Sequence, residues 1–271
     1  MTGKRAYELI EVSYDCDFAT ITMNYPQHRN ALSLQHMLEL TAAFREVGQS
    51  DARGVTLAAN GPAFCAGHDF GDMIGQDLLA MRELLKTCTA LMDTIQSIPQ
   101  PVLARVHAIA TAAGCQLVAS CDLAVASTAA SFATPGGKGG WFCTTPMVAV
   151  ARNLGRKRAF EMAFTGDAID AQTAADWGLI NRVVPPEQLV EEARRLLEAA
   201  TRGAFFAKAL GKQALYTQLE LPQRQAYSYA IEVMAAMSQM PDAQEGMHAF
   251  LEKRRPHFSS PAQRRKQEEV R

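Results

Sequence analysis

The sequence contains no run of about 18 apolar residues, the length that a membrane-spanning helix needs. It also has almost no net charge, because 27 basic residues are balanced by 28 acidic ones, so no broad basic surface is available for nucleic acid. The N-terminal stretch MTGKRAYELIEV lacks the apolar core of a secretory signal. These absences predict a cytoplasmic protein with neither nucleic-acid nor membrane partners.

Cysteine pairs and metal-ligand spacings are missing too. The six cysteines include no CxxC pair, and neither they nor the six histidines are spaced like a zinc site. Most of the cysteines lie in apolar stretches, which is typical of reduced thiols in a protein core. Cys143, in the stretch WFCTT, is the candidate for a reactive thiol. The sequence therefore predicts no bound metal ion.

What is present is an α/β pattern, in which short β-rich runs alternate with helical stretches. Two strands frame the turn DCD, Ser33 has the position of a helix N-cap, and GVTLAA is typical of a short buried strand. The residues expected on the buried face of the first helix are Leu34, Met37, Leu38 and Phe44. We divide the chain into a β-β-α core, residues 1–200, and a helical region, residues 201–271.

A run of very small residues, Ala110 to Gly114, precedes an apolar helix in the stretch ATAAGCQLVASCD. Small residues before a helix let another segment, or a ligand that needs backbone N–H donors, approach the main chain closely. Gln116 lies near the start of this helix, and its neutral amide is neither an acid nor a base. The stretch therefore predicts either close packing of two segments or a ligand site.

Six segments, taken in order, carry a family resemblance. They are NYPQHRNALS, GPAFCAGHDF, AIATAAGCQLVASCDLAVAS, SFATPG, RNLGRKRAFEMAFTGDAIDAQTAADWGLINRVVP and EGMHAFLEKRRPHF. Together they resemble the crotonase (enoyl-CoA hydratase/isomerase) superfamily, in particular the branch of enoyl-CoA hydratase domain-containing protein 3. The resemblance implies a ClpP/crotonase-like spiral of repeated β-β-α turns with a C-terminal helical trimerisation region. It also implies an acyl-CoA thioester ligand, coenzyme A only as part of the substrate, and a homo-trimer or dimer of trimers.

The resemblance further implies an oxyanion hole, in which the backbone N–H groups of His68 and Ala113 hold the thioester carbonyl. The family usually has glycines where this chain has Ala112 and Ala113, and alanine fits there only if φ is negative. The loop implied to hold the adenine consists of Cys65, Ala66, Asp69 and Phe70. Further implied contacts are Arg29 with a phosphate, and Phe250 and Lys253 with the nucleotide bound to a neighbouring subunit.

The family's acid and base side chains are missing from this sequence. Hydratases use two glutamates, whose positions are occupied here by Gln116 and Gly136, and some isomerases use an acid at the position of Thr144. None of these three residues can move a proton near neutral pH. A bound anion beside Gly136, the His68 imidazole, water or the substrate itself remain as proton carriers, and Cys143 remains as a nucleophile.

These observations predict a protein of the enoyl-CoA hydratase/isomerase family that acts on a fatty acyl- or enoyl-CoA thioester. Because the two glutamates are replaced, its hydratase activity is expected to be weak or absent. The alternatives are a non-catalytic or regulatory acyl-CoA-binding protein and a CoA thioester hydrolase.

Overall fold

The structure, a computed structural model, describes residues 6–259. Strands and helices alternate along the first part of the chain, and helices predominate after it. The strands are β1 (Ile10–Asp15), β2 (Phe18–Met23), β3 (Gly54–Ala59), β4 (Val102–Val106), β5 (Ala110–Thr111), β6 (Leu123–Ser127), β7 (Ser131–Ala133), β8 (Ile169–Asp170) and β9 (Arg182–Val184). The helices are α1 (Leu34–Gly48), α2 (Leu78–Ser97), α3 (Ala113–Ser120), α4 (Thr144–Asn153), α5 (Arg156–Thr165), α6 (Ala171–Trp177), α7 (Leu189–Thr201), α8 (Phe205–Leu219), α9 (Gln223–Ser238) and α10 (Pro241–Leu251).

Two sheets form the core. The larger sheet has the order β1-β2-β3-β4-β6-β9, and the smaller has the order β5-β7-β8. β1 and β2 pair as an antiparallel hairpin, whereas the later neighbours in the large sheet are parallel. Parallel neighbours need crossover connections, and helices α1 and α2 supply the first two. The order strand, strand, helix recurs in β1-β2-α1, β4-β5-α3 and β6-β7-α4, which confirms the predicted β-β-α spiral.

Local signals in the sequence place several helix ends. Ser33 caps α1, because its Oγ accepts a hydrogen bond from the N–H of His36 at 3.2 Å. Asp170 caps α6 in the same way, accepting from the N–H of Thr173 at 2.7 Å. Each cap satisfies an N–H that the first helical turn leaves without an intrahelical partner.

The buried face of α1 differs from the expected one. Met37 and Phe44 are fully buried, as predicted, but Leu34 and Leu38 are 43% and 54% exposed. Leu40 completes the buried stripe. Apolar residues three and four apart define two neighbouring stripes in this helix, and packing against the sheet and α2 selects one of them.

Helix α8 begins the C-terminal helical region and is anchored to the core by a buried ion pair. The Nζ of Lys212 lies 2.8 Å from Oδ2 of Asp122 and donates to the carbonyls of Ile95 and Gln100, each at 2.9 Å. Asp122 also accepts from the Tyr216 hydroxyl at 2.8 Å and, like Lys212, is largely buried. Within residues 6–259, no helix is both long and apolar enough to cross a membrane.

Candidate functional site

The loop of residues 61–70 is held between two other segments by backbone hydrogen bonds. On one side, the N–H of Leu32 donates to the carbonyl of Gly67 at 2.7 Å. On the other, the N–H of Thr111 donates to the carbonyl of Cys65 at 2.9 Å. These bonds bring the loop to the N-terminus of α3, the two segments that the sequence singled out.

Glycines allow the loop and the helix to touch. Gly67 has φ +94°, and a Cβ built on it would lie 3.0 Å from the Cβ of Ala112 and 3.4 Å from the nitrogen of Ala113. A Cβ on Gly114 would lie 2.8 Å from the Cβ of Cys65 and closer still to its carbonyl oxygen. The backbone therefore approaches closely, as predicted, and the contact is packing between two parts of the same chain.

Two backbone N–H groups remain available at this junction. The bridge between Leu32 and His68 directs the carbonyl of Gly67 and the N–H of Asp69 towards Leu32, so the N–H of His68 is directed away from it. Ala113 is the first residue of α3, where an N–H has no intrahelical acceptor and the helix dipole favours negative charge. Neither N–H finds an acceptor within residues 6–259. Such a pair can stabilise an oxyanion, and this role remains a prediction.

Ala112, which connects the loop contact to α3, does not have the negative φ that the sequence analysis required. Its φ and ψ are 50° and −118°, in a region that glycine occupies readily and alanine at a cost of about 1–3 kcal/mol. The strain is maintained by two hydrogen bonds: the N–H of Ala112 donates to Ala133, and its carbonyl accepts from the N–H of Gln116. Ala113 is helical, as expected.

Replacing Ala112 by glycine is expected to raise the free energy of unfolding by about 1 kcal/mol, because it removes the strained Cβ. Thermal unfolding should show a Tm increase of about 2–4 °C. Ala113→Gly is the matched control, since its φ is helical and glycine there should lower the Tm. A Tm for Ala112→Gly at or below that of the parent protein would contradict the strained conformation.

A cavity of about 1080 Å³ opens beside these N–H groups. Its wall is mainly apolar, with Met73, Met81 and Leu85 on one side and the ring of Phe142 on another. Among the residues singled out in the sequence, those that line it are Ala66, His68, Phe70, Ala112, Ala113, Gly136, Cys143 and Thr144. The described part of the chain contains no group of three or more His, Cys, Asp or Glu side chains arranged to hold a metal ion.

Cys65 is not on the cavity wall, although the adenine loop was predicted to include it. Its side chain is fully buried, its N–H is directed at the carbonyl of Ile109 at 3.3 Å, and its carbonyl accepts from Thr111. Burial raises the pKa of its thiol to about 12. Cys65 fixes the loop in place, and the contact of this loop position with the adenine remains a prediction.

Gln116 is also absent from this wall. Its side chain is buried, its Oε1 lies 3.9 Å from the Sγ of Cys88, and it lines a second cavity of about 840 Å³ between α2, α3, α4 and α8. Thr145 lines both cavities. Gly136 lines the first cavity and Gln116 the second, so the two positions predicted to correspond to the hydratase glutamates line different cavities.

Gly136 lies beneath a tight loop. A Cβ built on it would be 2.7 Å from the Sγ of Cys143 and closer still to the carbonyl oxygen of Trp141. The N–H of Gly136 donates to that sulfur at 3.3 Å. Burial raises the pKa of the Cys143 thiol, which keeps it protonated at neutral pH and weakens the case for a nucleophile.

The remaining predicted contacts lie around the loop or far from it. The carbonyl of Arg29 accepts from the N–H of Ala66 at 3.1 Å, and the Arg29 side chain is exposed. Asp69 accepts from the N–H of Gly71 at 2.8 Å and does not line the cavity. Phe250 is exposed near the end of α10, and Lys253 follows that helix. Neither lines the cavity of its own chain, so their contact with a neighbouring subunit's nucleotide remains a prediction.

Sequence reasoning missed two features of the rim. The indole of Trp141 lies 6.5 Å from the imidazole of His68, measured between ring centroids, and is half exposed. Lys138, also on the wall, forms an ion pair with Asp167. The signal for the first was the pair of aromatic residues that directly follows the glycine-rich turn PGGKGG.

Comparison with known proteins identifies the family. The family described as enoyl-CoA hydratase/isomerase matches residues 16–261. The rat protein named enoyl-CoA hydratase domain-containing protein 3, mitochondrial, is 44% identical over 241 residues, which cover 88% of this chain and 80% of the rat protein.

Two solved structures are closely similar. A crystal structure of an enoyl-CoA hydratase from Mycobacterium smegmatis has a TM-score of 0.89 and 45% identity, covering 92% of this chain and 98% of that one. The crystal structure of human enoyl coenzyme A hydratase domain-containing protein 3 has the same TM-score of 0.89 with 39% identity, covering 92% and 100%. Both likenesses extend over nearly the whole chain.

The relatives also correct one prediction. The names of the rat protein and of its human counterpart, which is 42% identical to this chain, place both in mitochondria. The predicted cytoplasmic location, which rested on the absence of a secretory signal and of a membrane-spanning run, is therefore wrong. The fold, the family match and these relatives agree on one assignment: the chain belongs to the enoyl-CoA hydratase/isomerase family, in the branch of enoyl-CoA hydratase domain-containing protein 3.

Proposed function

We propose that the protein binds a coenzyme A thioester and acts on its fatty acyl or enoyl group. The supporting observation is the pair of N–H groups at His68 and Ala113, which have no acceptor within the described residues and adjoin the apolar cavity. A thioester carbonyl placed between them is polarised, and an enolate oxygen formed from it is stabilised by donors that need no reorganisation. The apolar wall suits the acyl chain, and coenzyme A enters only as part of the substrate.

Hydration is not the reaction that this site favours. Two carboxylates facing one space can activate and split a water molecule. Here no carboxylate within residues 6–259 lines the cavity, Gln116 belongs to a second cavity, and Gly136 has no side chain. A non-catalytic acyl-CoA-binding protein is the alternative that the same observation supports.

The protein is expected to bind octanoyl-CoA and crotonyl-CoA more tightly than free coenzyme A, because only the thioesters offer a carbonyl to the two N–H groups. Isothermal titration calorimetry measures all three dissociation constants. Hydration of crotonyl-CoA should be at least ~10³-fold slower than in a family member with both glutamates, a mid-range value for acid–base contributions.

Two outcomes would contradict this proposal. Equal affinity for free coenzyme A and both thioesters would show that the two N–H groups do not contribute to binding through the thioester carbonyl. Hydration of crotonyl-CoA at the rate of a two-glutamate member would show that another residue supplies the carboxylate. Release of free coenzyme A, followed with a thiol reagent, would instead favour a thioester hydrolase.

The proposed assembly is a homo-trimer or a dimer of trimers. Helices α9 and α10 leave large apolar side chains exposed, and the most exposed are Tyr227, Ile231, Met234, Phe250 and Leu251. An apolar surface of this kind is typical of subunit contacts. Sedimentation velocity at micromolar concentration should therefore detect a trimer or a hexamer, and a monomer would contradict the assembly.

A further inference from the structure

The second cavity, of about 840 Å³, continues along the helices that bound the first. Helices α2, α3 and α4 contribute residues to both cavities, and in each helix the residues of the second cavity follow those of the first, with Thr145 belonging to both. On α2 the wall passes from Leu85 to Thr89, a rise of about 6 Å along the helix axis. On α3 it passes from Ala113 to Gln116. The two cavities therefore lie end to end.

Gln116 presents an unused hydrogen-bonding group to the second cavity. The residue is only 5% exposed, and its Oε1 lies 3.9 Å from the Sγ of Cys88. Its Nε2 makes no hydrogen bond to another described residue and retains accessible surface on the cavity wall. A largely buried amide without an acceptor is costly, so the site favours an occupant that offers one.

The hydroxyl of Thr145 is a second unused group, at the boundary between the cavities. It makes no hydrogen bond within residues 6–259, and Thr145 lines both cavities. An amide NH₂ group donates, whereas a hydroxyl both donates and accepts. An alcohol oxygen on a ligand matches both groups, because it can accept from Gln116 while it bonds to Thr145.

The charged residues of the second cavity favour a neutral ligand group. The Nζ of Lys212 lies 2.8 Å from Oδ2 of Asp122, and the Nε of Arg152 lies 2.9 Å from Oε1 of Glu220. Both cations on the wall are thus already paired. The remaining carboxylate on this wall, that of Asp93, is exposed and therefore solvated. A carboxylate on the ligand would find no free cation there, whereas an alcohol needs none.

We propose that the two cavities form one acyl channel and that Gln116 is a specificity-determining residue for a hydroxylated acyl chain. The thioester carbonyl lies at the N–H groups of His68 and Ala113, and the chain runs along α2 past Thr145. A hydroxyl in the middle of the chain then accepts from the Nε2 of Gln116. The substrate class is a long-chain CoA thioester that carries an alcohol. This inference rests on the proposed binding of a CoA thioester.

The test compares palmitoyl-CoA with its monohydroxylated isomers, in which the hydroxyl is placed at successive carbons of the chain. Calorimetric titration should show at least one mid-chain isomer that binds roughly 2- to 10-fold more tightly than palmitoyl-CoA, the range of one neutral hydrogen bond. Gln116→Met keeps an unbranched side chain and removes the amide, so this preference should disappear. Gln96→Met, the same change at the far end of the second cavity, should retain the preference.

Ala149→Phe tests the channel itself. Ala149 lines the second cavity and not the first. A phenyl ring there should weaken palmitoyl-CoA binding at least ~10-fold, because several methylenes lose their apolar contacts. The affinity for crotonyl-CoA, whose short chain needs only the first cavity, should not change. Val148→Trp, at an exposed position on the same wall, repeats the test should Ala149→Phe fail to fold.

The outcomes separate the channel from the proposed function. If neither crotonyl-CoA nor palmitoyl-CoA binds the parent protein, the proposed function fails. If both bind and filling the second cavity leaves palmitoyl-CoA affinity unchanged, the channel is refuted while thioester binding stands. If no hydroxylated isomer is preferred, or if Gln116→Met keeps the preference, the role of Gln116 is refuted.

Discussion

Replacing Gly114 by alanine is expected to weaken thioester binding and to destabilise the fold. The added Cβ would lie 2.8 Å from the Cβ of Cys65 and nearer still to its carbonyl oxygen, and neither group is the mobile end of a side chain. The start of α3 must then move away from the loop, which separates the N–H of Ala113 from that of His68. Overpacking of this kind costs about 1–3 kcal/mol. The loss of two hydrogen bonds to a neutral carbonyl, about 0.5–1.5 kcal/mol each, should weaken octanoyl-CoA binding roughly 10- to 100-fold.

Gly211→Ala is the matched control for this change. Gly211 lies within α8, and a Cβ built on it meets no atom within 4 Å. Alanine there should raise the free energy of unfolding by about 0.5–1 kcal/mol and leave binding unchanged. Calorimetric titration measures the octanoyl-CoA affinity of both variants, and thermal unfolding measures their stability. Unchanged octanoyl-CoA affinity in Gly114→Ala would show that the contact between the loop and α3 does not position the two N–H groups for binding.

Removing the carboxylate of Asp122 should cause the largest loss of stability. In Asp122→Ala the ammonium of Lys212 stays buried without its counter-ion, and the N–H of Val102 and the hydroxyl of Tyr216 lose their acceptor. Breaking a buried ion pair from one side costs about 3–5 kcal/mol. The melting temperature should therefore fall by roughly 10 °C.

An exposed ion pair provides the comparison. On the surface, the Nε of Arg152 lies 2.9 Å from Oε1 of Glu220, and the two side chains are 58% and 61% exposed. Glu220→Ala should cost less than about 1 kcal/mol, because solvent screens such pairs. Chemical denaturation measures both variants. A loss for Asp122→Ala that is no larger than the loss for Glu220→Ala would show that α8 is not anchored through this carboxylate.

Short-range features of the structure follow from the sequence. The N-caps at Ser33 and Asp170 are local, because each side chain bonds to an N–H three residues further on. The strand over residues 54–59, the stretch GVTLAA, also has its predicted bounds. The spiral as a whole came from the family resemblance, since parallel pairing joins segments that are distant along the chain.

The candidate site was predictable in its parts and less so in their orientation. The family resemblance placed His68 and Ala113 together, but it does not determine that Gln116 turns towards Cys88 and a second cavity. The positive φ of Ala112 was missed because it depends on contacts with Gly67 and Ala133, which lie elsewhere in the chain. Side-chain direction and backbone strain are properties of the assembled loops.

The loop over Gly136 constrains which mutations this position can accept. A mutation to glutamate would meet the carbonyl of Trp141 and the sulfur of Cys143 before it met any substrate. A carboxylate at this position is therefore epistatic with the path of residues 137–143. It cannot be gained by a single substitution, because the loop must be rebuilt first.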